Sequence, residues 1–487
     1  MDFIRRVYCE FGQMSKKKFA KYFFAAFAAI ILILGVILEI ISLGATELFN
    51  KAMKEQTMLR GTITVEEIYA TITGDVTFSK LTWLDERGGT ILDIPEGSFK
   101  VNIWDVVTND FKSSTIRELY LKGASVSLNL DENMNVDFIR HSKDFQKVNN
   151  DMKTYGENWE KEVSRVNKTE EELKEFGERR RRLQRSKIEH DWKNFNVEGR
   201  KLKLNLKLDD CSFEVFYRER HYLLSNVDIE SKIDTDNEFT LKIYTGQFGG
   251  TMIGRGMYWQ GKIDFKSEEI PQCNMTIQLQ EVDPSSLGLG MNLHDKMTLT
   301  AIFTGSISQP TGKGKVHMDE LHLPGISFQN VDGNILYKDA TLNFEDVTAD
   351  VYEGKLKAHG DYNIDTRYYN IYGYGEKLKA YAALPKSHLH CDVKLNIEIH
   401  SKGNAKNTVT SGYFSSGKGH YSIAYFESLS GKFRSEYGGI YFYDVEAVLM
   451  SGFKITTDAL SIVNGKLTFE PIQMFDSSGD LFKTFEQ

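Results

Sequence analysis

At 487 residues the chain is long enough for more than one domain, and 41% hydrophobic with 26% charged residues excludes wholesale disorder. A formal net charge of −8 argues against a nucleic-acid protein, since phosphate binding needs concentrated cations. Seven prolines against 39 glycines, 31 Phe and 23 Tyr predict strands punctuated by glycine turns.

Residues 1–21 form a basic tail with Arg5, Arg6, Lys16, Lys17, Lys18 and Lys21. From Tyr22 the chain reads YFFAAFAAIILILGVIL, 17 apolar residues without a break, then Glu39 and a further apolar stretch. This predicts a transmembrane helix over 22–45. The cations precede it and Glu39 and Glu47 end it, so the positive-inside bias puts the N-terminus in the cytoplasm and the rest outside. A cleaved signal peptide is the competing reading, but the apolar run is long and no small-x-small site follows it closely.

Residues 46–140 alternate between apolar and polar positions in GTITVEEIYATITGDVTFSKLTWL, GTILDIPEGSFKVNIW and IRELYLKGASVSLNLDENMNVDFI, which predicts short strands and Gly/Asp turns. The period then changes. Residues 141–195 are charge-rich and proline-free, with Met152, Tyr155, Trp159, Val163, Val166, Leu173, Phe176 and Leu183 at helical steps. A long or broken amphipathic helix is expected there. Within it, GERRRRLQR (Gly177 to Arg185) follows the acids of KTEEELKEFGE, which reads as a solvated face laced with helical ion pairs or as a contact for anionic headgroups.

Residues 196–487 return to strands with one apolar face. Leu202, Leu204, Leu206 and Leu208 alternate with Lys203, Asn205 and Lys207. Met275, Ile277 and Leu279 alternate with Thr276 and Gln278; Val393, Leu395, Ile397 and Ile399 alternate with Lys394, Asn396 and Glu398. FGGTMIGRGMY (Phe248 to Tyr258) and YEGKLKAHGDY (Tyr352 to Tyr362) align without a gap as an internal repeat, with a looser copy over Tyr437 to Ile455. A β-sandwich would cover such faces with a second sheet. The absence of a Pro- or Ser-rich linker after Asn196 favours instead an elongated curved β-sheet with an apolar groove suited to acyl chains; together with the strands of residues 46–140 it would make a trough of about 19 strands and about 90 Å.

The anchor, the opening strands and repeats of the form ILYKDATLNFEDVTADVYEGKLKAHGDY resemble the AsmA/TamB family of bacterial envelope proteins, outside the helical segment. The resemblance implies an inner-membrane anchor, a periplasmic β-trough with an apolar interior, and a role in moving phospholipid toward the outer membrane or in outer-membrane assembly. The chain is short beside the largest members and carries the extra charged helix.

No catalytic constellation is evident. HLHCD (His388 to Asp392) would put His388 and His390 on one strand face, but lacks a second ligand pair. TGKGK (Thr311 to Lys315) and GLG (Gly288 to Gly290) miss the phosphate and dinucleotide spacings. Cys211, Cys273 and Cys391 are far apart and odd in number, so at most one disulfide could form among them, and they read as small buried thiols. The expectation is a non-enzymatic lipid carrier or partial conduit without metal or cofactor. Its groove would be lined by the three alternating sets above, and its partners would be phospholipid acyl chains and an envelope protein that extends the groove. The alternative is a scaffold or chaperone for outer-membrane proteins acting through exposed sheet edges.

Overall fold

The computed structural model describes residues 45–55, 59–71, 73–108, 115–130, 169–197, 202–217, 220–266, 270–287, 293–323, 326–384, 387–402, 407–436, 438–464 and 466–486. The expected transmembrane segment and the first half of the expected helical segment lie outside them. No described helix is long and apolar enough to cross a membrane. The described chain is mainly β and divides into two compact units, one of residues 1–289 with 298–312, the other of residues 290–297 with 313–487.

The first unit opens with α1 (Ala45–Glu55), β1 (Thr62–Thr64), β2 (Glu67–Ala70), β3 (Asp75–Leu84), β4 (Thr90–Val101), α2 (Ile103–Val107), β5 (Ile116–Lys122) and β6 (Ser125–Leu130). The helix α3 (Glu170–Val197) leads to β7 (Lys203–Tyr217), β8 (Arg220–Asp234), β9 (Glu238–Gly250), β10 (Gly256–Asp264), β11 (Gln272–Val282) and β12 (Met297–Ser306). Both β1 and β2 pair with β3, which pairs with β4; β7 to β11 are successive antiparallel neighbours. At the join the rule changes. β5 and β6 lie antiparallel to β4 but parallel to β7. A parallel neighbour cannot be reached by a tight turn, so the chain must cross back over the sheet. Helix α3 belongs to that crossing.

The start of α3 is written in KTEEEL. Thr169 Oγ1 accepts from the Glu172 N–H at 3.2 Å while Glu172 Oε2 accepts from the Thr169 N–H at 2.8 Å, a reciprocal cap of two otherwise orphaned donors. Glu170 to Glu172 sit at the positive end of the helix dipole. Glu170–Lys174 (2.6 Å) and Glu175–Arg179 (3.5 Å) are the expected one-turn ion pairs. One arginine departs from the solvated face: Arg181 is only 9% exposed and turns toward the protein with Leu173, Ile188 and Trp192.

The second unit comprises β13 (Thr311–Leu323), β14 (Ile326–Lys338), β15 (Thr341–Val351), β16 (Gly354–Asn363), β17 (Tyr369–Lys379), α4 (Ala380–Ala383), β18 (Leu389–Ser401), β19 (Thr408–Tyr421), β20 (Ala424–Glu436), β21 (Gly439–Leu449), β22 (Lys454–Val463), β23 (Lys466–Phe469), β24 (Ile472–Phe475) and β25 (Leu481–Phe485). From β14 to β22 each strand pairs antiparallel with the next; β22 then pairs with both β23 and β24, and β24 with β25. The described strands number 25, more than the 19 expected, because a full crossing uses 9–15 residues and several crossings are split in two.

The internal repeat does not mark one repeated unit. Phe248 to Tyr258 spans the end of β9, a loop and the start of β10, with Gly250 at φ +69°; Tyr352 to Tyr362 is a turn at Tyr352 and Glu353 followed by uninterrupted β16. What the copies share is local. A Cβ on Gly256 or Gly360 would meet a carbonyl oxygen, of Thr245 or Asn370, on the neighbouring strand.

Candidate functional site: an apolar sheet face, closed in one unit and open in the other

In the first unit the register collects the apolar positions into lateral rows. Leu121, Leu208, Ile229, Ile243, Trp259 and Ile277 stand directly opposite one another on successive strands from β5 through β7 to β11. Leu119, Leu206, Ser231, Leu241, Gly261 and Met275 form the next row; Met275 reaches over Gly261, where a Cβ would lie 2.6 Å from its sulfur. The two expected sets, Leu204 to Leu208 and Met275 to Leu279, therefore share one face although they lie far apart in sequence. Leu202 is half-buried at its margin.

That face is covered by the chain itself. Leu204 and Leu206 are each 3% exposed, and both belong to a core cluster that also takes in Phe49 and Met53 of α1 and Ile188 of α3. Trp192 of α3 stacks on Phe265, with ring centroids 5.4 Å apart and planes within 13°. Burying an apolar side chain of this size stabilises by roughly 1.5–3 kcal/mol, which suffices to hold a single crossing helix against the sheet. Cys211 and Cys273 lie in the same core as free thiols, and burial pushes the Cys211 thiol up to about 11.

The opposite face of these strands is polar. Asn205, Lys232, Lys242, Gln260, Lys262 and Asn274 line an open depression of about 640 Å³. Two of its three lysines are matched by acids, Lys242 with Glu230 at 3.3 Å and Lys262 with Glu238 at 3.8 Å. This is a solvated sheet surface of paired charges.

The second unit repeats the row pattern with different filling. Ala358, Gly373, Ile397, Gly412, Phe433, Phe442 and Leu460 form one row from β16 to β22, and Leu356, Gly375, Leu395, Phe414 and Gly431 the next. Glycines alternate with large side chains, which lie down over them. A Cβ on Gly373 would stand 2.6 Å from Ile397 Cγ2, and one on Gly431 2.8 Å from the Phe414 ring. Phe414 and Phe442 then meet edge to face at 6.1 Å across β20. The result is a low apolar floor. Ile397 and Ile399 are buried in it, whereas Val393, Leu395, Phe414, Phe433 and Phe442 keep part of their surface open.

Of the expected lining, Val393 and Leu395 stay partly open with Ile397 and Ile399 buried beside them, Leu204 to Leu208 with Met275 lie in a closed core, Ile277 is partly buried against that core, and Leu279 is buried. Phe414, Phe433 and Phe442 escaped sequence reasoning because glycines and serines dilute the alternation in β19 and β20; only the register aligns them. His388 and His390 do not share a strand face. His388 precedes β18 with φ +53°, and His390 stacks on His420 at 4.8 Å. Among the described residues no group of three or more His, Cys, Asp or Glu is arranged to hold a metal. Comparison with protein-family models, curated proteins and solved structures finds no match to this chain.

Proposed function

We propose that the chain is an inner-membrane-anchored, periplasmic lipid-binding protein. Its apolar sheet face takes up phospholipid acyl chains and serves as a carrier or partial conduit toward the outer membrane. The observation that supports this best is the glycine-flattened floor of the second unit, where Val393, Leu395, Phe414 and Phe433 remain partly open. A smooth apolar strip without a fixed pattern of hydrogen-bond donors suits hydrocarbon, which gains roughly 0.8 kcal/mol per buried CH₂ and demands no particular headgroup. The apolar face of the first unit, closed by α1 and α3, takes no lipid in this reading. The resemblance to the AsmA/TamB family, carried by the N-terminal apolar segment and the strand style, points the same way, and a further envelope protein would extend the groove.

The experiment is lipid extraction and mass spectrometry of the full chain purified in a mild detergent. Co-purifying diacyl lipid in stoichiometric amount is expected, and a well-folded protein free of lipid would contradict the reading.

The scaffold alternative draws on one strand. In β25, Leu481 to Phe485 are all exposed, and the strand pairs with β24 alone among the described residues. Such an edge can accept a client strand. Loss of client binding on Leu481→Pro, with lipid content unchanged, would favour it.

A further inference from the structure

One end of the strands in the second unit is built unlike the other. The pairs Leu389↔Tyr421, Phe426↔Leu449, Lys454↔Phe475 and Phe475↔Leu481 bring the β19–β20, β21–β22 and β24–β25 connections to a common rim. Tyr421 pairs with Ala424 around a two-residue turn, Ser422 at φ +52° and Ile423. Ile423 is 91% exposed, and Tyr421 and Tyr425 beside it are 57% and 58% exposed. The next tip carries exposed Met450, whose N–H donates to the Tyr425 carbonyl at 3.1 Å and ties the two turns together. At the opposite rim the turns themselves carry Glu436, Gly438, Asn464 and Lys466, with Tyr437 and Gly465 outside the described residues, and the apolar residues beside them, Ile440 and Leu467, are 36% and 49% exposed against 91% at Ile423.

A convex tip with an isoleucine at its summit offers almost no flat area to a protein partner, but a fluid hydrocarbon layer closes around any shape. Tyrosines one step below an apolar summit match the headgroup level of a bilayer, where an apolar ring body and a wet hydroxyl are both satisfied. The nearest cations are already neutralised, Lys418 by Glu427 at 3.7 Å and Lys454 by Glu446 at 2.7 Å. Attraction to anionic lipid is therefore small. On the β25 side the Asp476 to Asp480 turn is polar, and exposed Leu481 and Phe482 follow it, the Phe482 ring 5.2 Å from that of Phe453. Inward from the tips, Phe426 is buried in a cluster with Cys391 against which Leu389, Val393 and Leu449 pack, so apolar surface runs from the rim to the open floor.

We propose that the rim formed by Tyr421, Ile423, Tyr425 and Met450 inserts into the interfacial layer of a lipid bilayer and there opens the floor of the second unit to membrane lipid. Insertion stands on the rim alone, whereas the opening rests on the lipid-carrier reading. The test attaches a polarity-sensitive fluorophore to Ile423→Cys in the full chain, with Asn464→Cys at the opposite rim as control; the described native thiols are buried. Each is reconstituted with phosphatidylcholine vesicles, and brominated phosphatidylcholine is placed either in those vesicles or in a second population added later.

Blue-shifted emission and quenching at position 423 in at least one arm, with none at 464, is the expected result. Replacing part of the phosphatidylcholine by phosphatidylglycerol should change it little. Emission at 423 that is unmoved by vesicles in both arms, or quenched equally at 464, overturns the insertion and includes the case of a protein partner. Lipid content measured on the same preparations separates the two layers: an unquenched label on lipid-loaded protein defeats the rim alone, and a quenched label on lipid-free protein defeats the carrier reading alone.

Discussion

The ring of Phe414 lies over Gly431 of the neighbouring strand, 2.8 Å from where a Cβ would stand. This pairing, repeated where Ile397 covers Gly373, turns an alternating strand pattern into a low apolar surface. Phe414 is partly open and can tilt, so Gly431→Ala should cost near the lower end of the about 1–3 kcal/mol typical of overpacking. Gly412 differs, because its Cβ would run into the Asn396 backbone oxygen, which cannot swing away. Denaturant unfolding of the full chain should therefore rank Gly412→Ala as more destabilising than Gly431→Ala. The reverse order would mean that β18 and β19 lie further apart at Gly412 than their backbone pairing requires.

Charge placed on the two apolar faces should give opposite phenotypes. Leu206 is sealed in the core of the first unit, and Leu206→Asp leaves a buried carboxylate without a partner, on the order of 3–5 kcal/mol destabilising. Leu395 is half-open, so Leu395→Asp should leave circular dichroism and cooperative unfolding nearly intact while lipid content falls. Equal tolerance of both substitutions would mean that the first unit is also open.

The cap of α3 provides a local test. Thr169→Ala removes the hydroxyl that accepts from the Glu172 N–H and should weaken the helix by about 1 kcal/mol. Amide exchange should rise across Glu170–Val197, while the strands from β8 to β10 keep their protection. Exchange rising equally in those strands would make α3 integral to the sheet instead of a cover on it.

His322 responds to pH chiefly through Asp295, with a smaller contribution from Glu320. Its Nδ1 is 2.7 Å from Asp295, whose other oxygen accepts from the His322 backbone N–H at 2.7 Å, and this hydrogen bond and charge raise the imidazole pKa above its usual 6.5. Because the folded value is the higher one, the stabilisation is fully present below the unfolded pKa and is lost as pH rises through the folded pKa. NMR titration should place His322 above 6.5, and Asp295→Asn should return it toward that value. An unshifted His322 would rule out the pair in solution.

Much of the β architecture was legible because alternation has period two and each face announces itself: Leu204, Leu206 and Leu208 point the way their spacing requires. What covers them was not legible. The answer depends on β5 and β6 pairing parallel to β7, a long-range choice that sends α3 back across the sheet, and no local pattern encodes it. The capping box at Thr169 and Glu172 is readable in KTEEEL, whereas the burial of Arg181 inside a run of four arginines is not. The Gly256 and Gly360 copies look alike because both glycines answer a close carbonyl, a requirement that recurs along any crowded sheet. The rim at Ile423 was hidden for a different reason, since YSIAY reads as ordinary strand until the turn is located at Ser422.

The most direct test of the central claim is photo-crosslinking of a phospholipid with a diazirine on its acyl chain to the full chain in membranes, followed by peptide mapping. Labels are expected on peptides spanning Val393 to Ile399 and Phe414 to Phe433, lost in Leu395→Asp, with none on Leu204 to Leu208. Labelling confined to residues 22–45, or spread over the polar face at Lys394 and Glu398, would contradict the claim.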